Sequence, residues 1–229
     1  MPVQDDVREL EMIHRFNLTV PDDRMRADID AHLLIDGVTL NFELKSTTNK
    51  SVSTVRDFGP EHIKKWRADL HWIFAFYDKA GVKLDYCIYA SPADMEPWIA
   101  EKERYVLPDV MLSATAAKLV GPEDVVALLG EREVYDQVDA RWLMKMQLNV
   151  AKYRDYQDLP NGYSLERMTE IYRERCRYLI LRGSTLNNPH IEGSFFEKFQ
   201  RIVDEPAAKL RDLVRDYLSN ASATDLATQ

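Results

Sequence analysis

Residues Asp28 to Lys45 read DIDAHLLIDGVTLNFELK. Asp36-Gly37 at its centre is a hairpin signal, because a two-residue turn of this kind needs positive φ at both positions. The flanking runs alternate, and side chains two apart on a strand share a face. Asp28, Asp30, His32 and Leu34 fall on one side of the first strand, and Ile29, Ala31, Leu33 and Ile35 on the other. In the second strand Thr39, Asn41, Glu43 and Lys45 oppose Val38, Leu40, Phe42 and Leu44. One face is wholly apolar and is expected to meet the core. The other is mostly polar.

Counting outward from the turn sets a register. Ile35 pairs with Val38, His32 with Asn41, Asp30 with Glu43 and Asp28 with Lys45. Opposed residues of an antiparallel pair point to the same side, with Cβ atoms about 5 Å apart. Facing carboxylates repel each other unless positive charge lies between them. Mg²⁺ suits such a place, since it binds through one or two carboxylates and keeps several waters. A lysine beside it orients or deprotonates a water, or stabilises charge on a phosphate. These are the parts of a metal-assisted phosphodiester hydrolysis. The plainer reading is a solvated outer face, but the charges gather at one end and match across the turn, which favours a site.

Glu43-Leu44-Lys45-Ser46, with Asp30 thirteen residues before the glutamate, resembles the PD-(D/E)xK nuclease superfamily. The order of elements over residues 5–90 is similar too: a helix, the motif-bearing hairpin, a second helix and a further strand. The resemblance implies a mixed sheet flanked by helices. It implies Asp30 and Glu43 as Mg²⁺ ligands (Mn²⁺ substituting), assisted by the Leu44 carbonyl, with Lys45 acting on the attacking water. No proline directly precedes Asp30, and Pro21-Asp22 lies too far upstream to share that end of the hairpin. Asp28 is therefore a rival ligand, and Asp30 is preferred because it faces Glu43. Glu9 or Glu11 on the first helix is a candidate outer carboxylate, against the commoner reading of surface charge.

The rest of the chain separates into two halves. A helix is expected over Val7–Phe16 with Asp5 or Asp6 as its cap, and another from Gly59-Pro60 to Asp69. Buried strands are expected over His71–Tyr77 and Leu84–Tyr89. Beyond Ser91 the pattern turns helical: Pro92–Tyr105, Asp109–Leu119, Pro122–Leu129, Asp136–Tyr156, Leu165–Leu181 and Pro206–Ser219. The expected fold class is α/β, with a catalytic core over residues 1–91, a mainly helical part over 92–220 packed on it, and a frayed tail over 221–229.

The 229 residues carry a net charge of -8, with 38 acidic and 30 basic side chains. That balance argues against a protein that coats nucleic acid by charge alone, though a locally basic cleft is compatible with it. Cys87 and Cys176 form no Cys-x-x-Cys pair, so a thiolate zinc site is not expected, and both are read as buried and reduced. The polar N-terminus does not read as a signal peptide and no apolar run is long enough to span a bilayer, which points to a cytoplasmic protein without membrane contact. No Gly-x-Ser-x-Gly, His-Glu-x-x-His or phosphate-cradling glycine loop supports another hydrolase centred on His71 or His190. His71, at a strand start, reads as structural.

Two polar segments are candidates for DNA contact. After the hairpin, Ser46, Thr47, Asn49, Lys50 and Ser53 supply backbone-binding donors, and Arg56, Lys64, Lys65 and Arg67 add positive charge. Later, Arg182, Ser184, Thr185, Asn187, Asn188 and His190 form a loop whose arginine and asparagines suit guanine and adenine edges. The plainer readings are a solvated helix face for Lys64 and Lys65, and an ordinary turn at Asn188-Pro189. Together with the helical half, the resemblance is most like a type II restriction endonuclease, which implies a homodimer cutting double-stranded DNA at a specific sequence. The alternatives are a structure-selective repair or Holliday-junction nuclease and a catalytically silent DNA-binding protein.

Overall fold

The computed structural model describes residues 4–21, 29–55, 58–184 and 189–227, with side chains described for 6–21, 29–55, 58–182 and 189–221. Helix α1 (Gln4–Phe16) precedes strands β1 (Ala31–Ile35) and β2 (Val38–Thr47), the short β3 (Val52–Ser53), helix α2 (Pro60–Trp66), and strands β4 (Leu70–Tyr77) and β5 (Leu84–Ala90). Helices α3 (Pro92–Ala117), α4 (Pro122–Leu129), α5 (Gln137–Leu143), α6 (Val150–Asp155) and α7 (Leu165–Ser184) follow. The short β6 (His190–Ile191), a 3₁₀ turn over Gly193–Lys198 and α8 (Pro206–Ala227) complete the chain.

The hairpin forms as its alternation requires. Asp36 and Gly37 both take positive φ, 50° and 82°. Ile35 pairs with Val38 and His32 with Asn41, and the ladder runs to Ala31 opposite Phe42. It stops there, short of the expected strand start at Asp28. The Asp30 amide donates to the Phe42 carbonyl at 3.1 Å, one residue out of the ladder's register. Asp28, expected to pair with Lys45 and to rival Asp30, lies outside the described residues.

A four-stranded sheet has the order β1-β2-β4-β5. The outer pairs are antiparallel and the central pair, β2 with β4, is parallel. Parallel neighbours need a crossover, and α2 lies within it. All eight residues of β4 are buried, as a strand covered on both faces must be. On one face, α1 and α8 join the sheet in a core of Met12, Phe16, Leu33, Phe42, Ile73, Leu210 and Val214. On the other face Trp66, Trp72, Phe74, Trp98 and Phe196 pack ring against ring, with Trp66 and Trp98 centroids 5.0 Å apart.

The compact units do not divide at residue 91. One comprises residues 1–103 and 188–229, the other 104–187. The C-terminal segment returns to the sheet because α8 has an apolar stripe whose partner is α1, a relation between distant segments that no local pattern reveals. In the second unit α4 to α7 enclose Val125, Tyr135, Leu143, Tyr153, Tyr163 and Ile171. The single helix expected over Asp136–Tyr156 is two. Lys145 and Met146 take positive φ between them, and Asp136 and Asn149 each accept amide bonds as N-caps. Conversely, Pro92–Tyr105 and Asp109–Leu119 are one helix, with Pro108 in its interior. Pro97 also lies inside this helix; each proline removes one backbone donor and need not end a helix. Helix α1 begins at Gln4, so Asp5 and Asp6 lie inside it and do not cap it. Helix α8 extends through Ala227, past the expected start of a frayed tail. Among the described residues no helix is long and apolar enough to cross a membrane.

Candidate active site

Strand β2 lies between β1 and β4, and its middle residues Phe42, Glu43 and Leu44 are all buried, so side chains on both of its faces are covered at that level. Glu43 is 2% exposed and Asp30 6% exposed. Lys45 follows Glu43 by two residues and shares its face. Its Nζ lies 2.6 Å from Glu43 Oε1, 3.2 Å from the Leu44 carbonyl oxygen and 3.7 Å from Asp30 Oδ2. Asp30 Oδ2 also accepts the Leu44 amide at 2.8 Å, a side-chain bond where the ladder has ended. The expected face-to-face meeting of Asp30 and Glu43 is thus mediated by the Lys45 ammonium.

A second lysine enters from α2. Lys65 Nζ lies 2.7 Å from Glu43 Oε2, so each oxygen of the buried carboxylate faces a different ammonium. Helix α2 is fixed by burial of Ile63 and Trp66. At about 100° per residue, Lys64 and Lys65 lie equally far from that stripe on opposite flanks. Periodicity therefore could not choose between them. The sheet does: Lys65 turns to Glu43 and Lys64 stays exposed.

Burial alone would raise the Glu43 carboxyl, but the adjacent Lys45 and Lys65 charges and their hydrogen bonds outweigh it and hold it below the usual range. Asp30 goes the other way. Desolvation dominates and raises it, reinforced by Glu43 and Glu9 against the opposing charge of Lys45 and the Leu44 amide. Burial pushes Lys45 down, and Glu43 and Asp30 more than restore it, so it stays protonated. Glu9 acts on both Asp30 and Lys45 from α1. Glu11 does not join them. It accepts bonds from the Tyr77 hydroxyl at 2.7 Å and from Arg15 Nε at 2.8 Å.

The three oxygens expected to hold a metal all lie around one positive charge. Hard oxygen donors of this kind fit a divalent cation, and the Lys45 ammonium stands where they gather. Among the described residues no group of three or more His, Cys, Asp or Glu side chains is arranged to hold a metal ion. The set here is two carboxylates and a carbonyl, which suits an ion that keeps several waters rather than one fully caged by protein.

The two candidate DNA-contacting segments meet. Strands β3 and β6 pair, with Val52 opposite Ile191 and Ser53 opposite His190. Ser53 Oγ lies 3.1 Å from His190 Nδ1, and the Thr54 amide and hydroxyl both donate to the Pro189 carbonyl. Asn49, Lys50, Ser53 and His190 are exposed. The Thr47 hydroxyl is engaged inside the loop, donating to the Ser51 carbonyl at 2.9 Å and accepting the Asn49 amide. Ser46, by strand alternation, faces away from Lys45. Arg182 bonds the Tyr178 hydroxyl and overlies its ring at 5.7 Å. Arg56, Thr185, Asn187, Asn188 and the Ser184 side chain lie outside the described residues.

Of the two rival histidines, one lies in the core and the other is exposed. His71 is fully buried, with Nδ1 2.8 Å from the Tyr89 hydroxyl, and burial lowers its pKa to about 4. His190 sits on the small ribbon. Cys87 is buried, which pushes its thiol up to about 12, whereas Cys176 is only half-buried, in contrast to its expected burial. No family model and no curated protein matches this sequence.

Proposed function

We propose that this chain is a Mg²⁺-dependent endonuclease of the PD-(D/E)xK type that hydrolyses double-stranded DNA at a specific sequence, as a type II restriction enzyme does. The observation that carries the reading is the convergence of Glu43 Oε1, the Leu44 carbonyl and Asp30 Oδ2 on one cation position beside a second lysine. A structural protein gains little from such a cluster, because apolar residues of similar volume are often as stable as buried ion pairs, or more so.

Asp30, Glu43 and the Leu44 carbonyl would hold the metal. When bound, the metal neutralises phosphate charge and acidifies a water. Lys45 is protonated in this cluster, so its Nζ donates to a phosphate oxygen or orients the attacking water. Lys65 holds Glu43 Oε2 and keeps the carboxylate ionised and oriented. The exposed Asn49, Lys50, Ser53 and His190 offer donors to the backbone beside it. A homodimer would let one such site cut each strand of a palindrome.

The test is incubation of the protein with plasmid DNA and Mg²⁺, with EDTA as control, followed by sequencing of fragment ends. Discrete ends at one sequence support the proposal. Cutting confined to branched DNA moves the reading to a structure-selective nuclease, and no metal-dependent hydrolysis of any DNA ends it.

A further inference from the structure

Beside Lys50 a cavity of about 310 Å³ opens on the same sheet face as Lys45. Phe76 and Tyr86 stack within its wall with centroids 4.7 Å apart, and Phe196 meets Phe76 edge-on at 5.1 Å. The Arg201 guanidinium lies 4.4 Å from the Tyr86 ring centroid. Gly193 backs Lys50 so closely that a Cβ there would come within 3.2 Å of the Lys50 Cβ. Among the described residues neither Lys50 nor Arg201 is ion-paired. Lys50 and Arg201 thus line the cavity together with the aromatic wall and the exposed Glu197.

That combination matches a planar, hydrogen-bonding base carrying a phosphate. The volume is near the lower end of the roughly 300–1,000 Å³ of small-ligand sites, which suits one nucleotide and excludes a duplex. Its position also fits. Lys45 pairs with Phe74 and Thr47 with Phe76, so the aromatic wall begins about 7 Å along the sheet from the Lys45 level. The loop bearing Lys50 leaves the strand that bears Lys45.

We infer that this cavity receives one unpaired nucleotide of the DNA strand engaged at Lys45, its base against the aromatic wall and its phosphate between Lys50 and Arg201. The inference rests on the nuclease reading for the identity of the strand and adds a substrate property. DNA with a nucleotide already out of the stack binds more tightly, because the unstacking has been done beforehand.

The experiment is fluorescence anisotropy with the full chain in EDTA, which separates binding from cleavage. The probes are a labelled single strand, its perfect duplex and the same duplex with one bulged nucleotide. Tighter binding of the single strand and the bulge than of the perfect duplex is expected. Arg201→Ala and Tyr86→Ala weaken both roughly tenfold to a hundredfold, Tyr86→Phe restores binding, and thermal melts confirm that each variant is folded. Equal binding of all three probes, or unchanged binding by folded Arg201→Ala, overturns the inference. So does competition by a deoxynucleoside monophosphate as strong as that of the strand, which would mark a free-nucleotide site. Bulge binding through Arg201 without hydrolysis of any DNA ends the nuclease reading alone. Specific plasmid cleavage with probe binding indifferent to Arg201 and Tyr86 ends this inference alone.

Discussion

Glu43 and His71 are buried on opposite faces of one sheet, on neighbouring strands, where Phe42 pairs with His71 and Glu43 with Trp72. His71 is stacked between Phe42 at 5.2 Å and Tyr89 at 5.8 Å, with Tyr217 edge-on. Nothing there compensates a positive charge well enough, so burial keeps the ring neutral. Glu43 meets two ammonium groups and stays ionised although it too is buried. Burial removes charge where it acts alone and preserves it where opposite charges have been brought in. The face with His71 is built as a core. The face with Glu43 keeps charges together in a place where neutral side chains would be easier to accommodate.

The sharpest test of that contrast is catalytic. Lys45→Met and Glu43→Gln are expected to lower Mg²⁺-dependent cleavage by about 100- to 10,000-fold, read as plasmid conversion, while His71→Phe stays within about twofold. Loss of cleavage in His71→Phe with the fold intact would erase the distinction between the faces.

The second test is acid stability. His71 has its pKa lowered from 6.5 to about 4, so its contribution is present above pH 6.5 and is lost as pH falls towards 4. Over that window the wild type should lose roughly 3 kcal/mol, measured by urea melts at several pH values. His71→Phe should remove that slope, at a separate loss at neutral pH of about 1–3 kcal/mol for the unpartnered Tyr89 hydroxyl. A slope unchanged in the variant would assign the titration to another group. Glu43, with its pKa lowered, contributes stability that is lost only below the ordinary carboxylate range, so the two faces should fail in different windows.

A smaller effect is expected at the second lysine. Lys65→Gln leaves Lys45 and both carboxylates in place but removes one of two charges on Glu43. Its carboxyl pKa should rise, and cleavage should drop about tenfold with a pH profile moved to higher pH. A uniform fall at every pH would reduce Lys65 to a structural support. The smallest effect is at the turn. Gly37 has φ 82°, and a Cβ added there would meet nothing within 4 Å, so Gly37→Ala brings backbone strain without collision. A loss of about 1–2 kcal/mol is expected in denaturant melts, with cleavage per folded molecule unchanged.

The hairpin was legible because its information is local. Two positive-φ turn residues and strict alternation leave one register that buries Leu33, Leu40 and Phe42 together. That register brings Glu43 and Lys45 to one face and Asp30 to its edge. Lys65 was not legible, since Lys64 flanks the same buried stripe as closely. The meeting of residues 46–54 with 189–191 was not either, because two-residue strands carry no pattern of their own. Where the compact units divide was hidden as well, because helices alone cannot say which core they serve.

By itself, then, the amino-acid order determined the turn, the two faces of the hairpin and which charges gather at its end. These follow from φ preferences and a period of two, which act between neighbours. Tertiary structure alone decided that Lys65 shares Glu43, that Glu9 rather than Glu11 lies near the cluster, and that α8 closes the sheet. Those pairings join segments far apart in the chain, and only the shared burial of apolar faces brings them together.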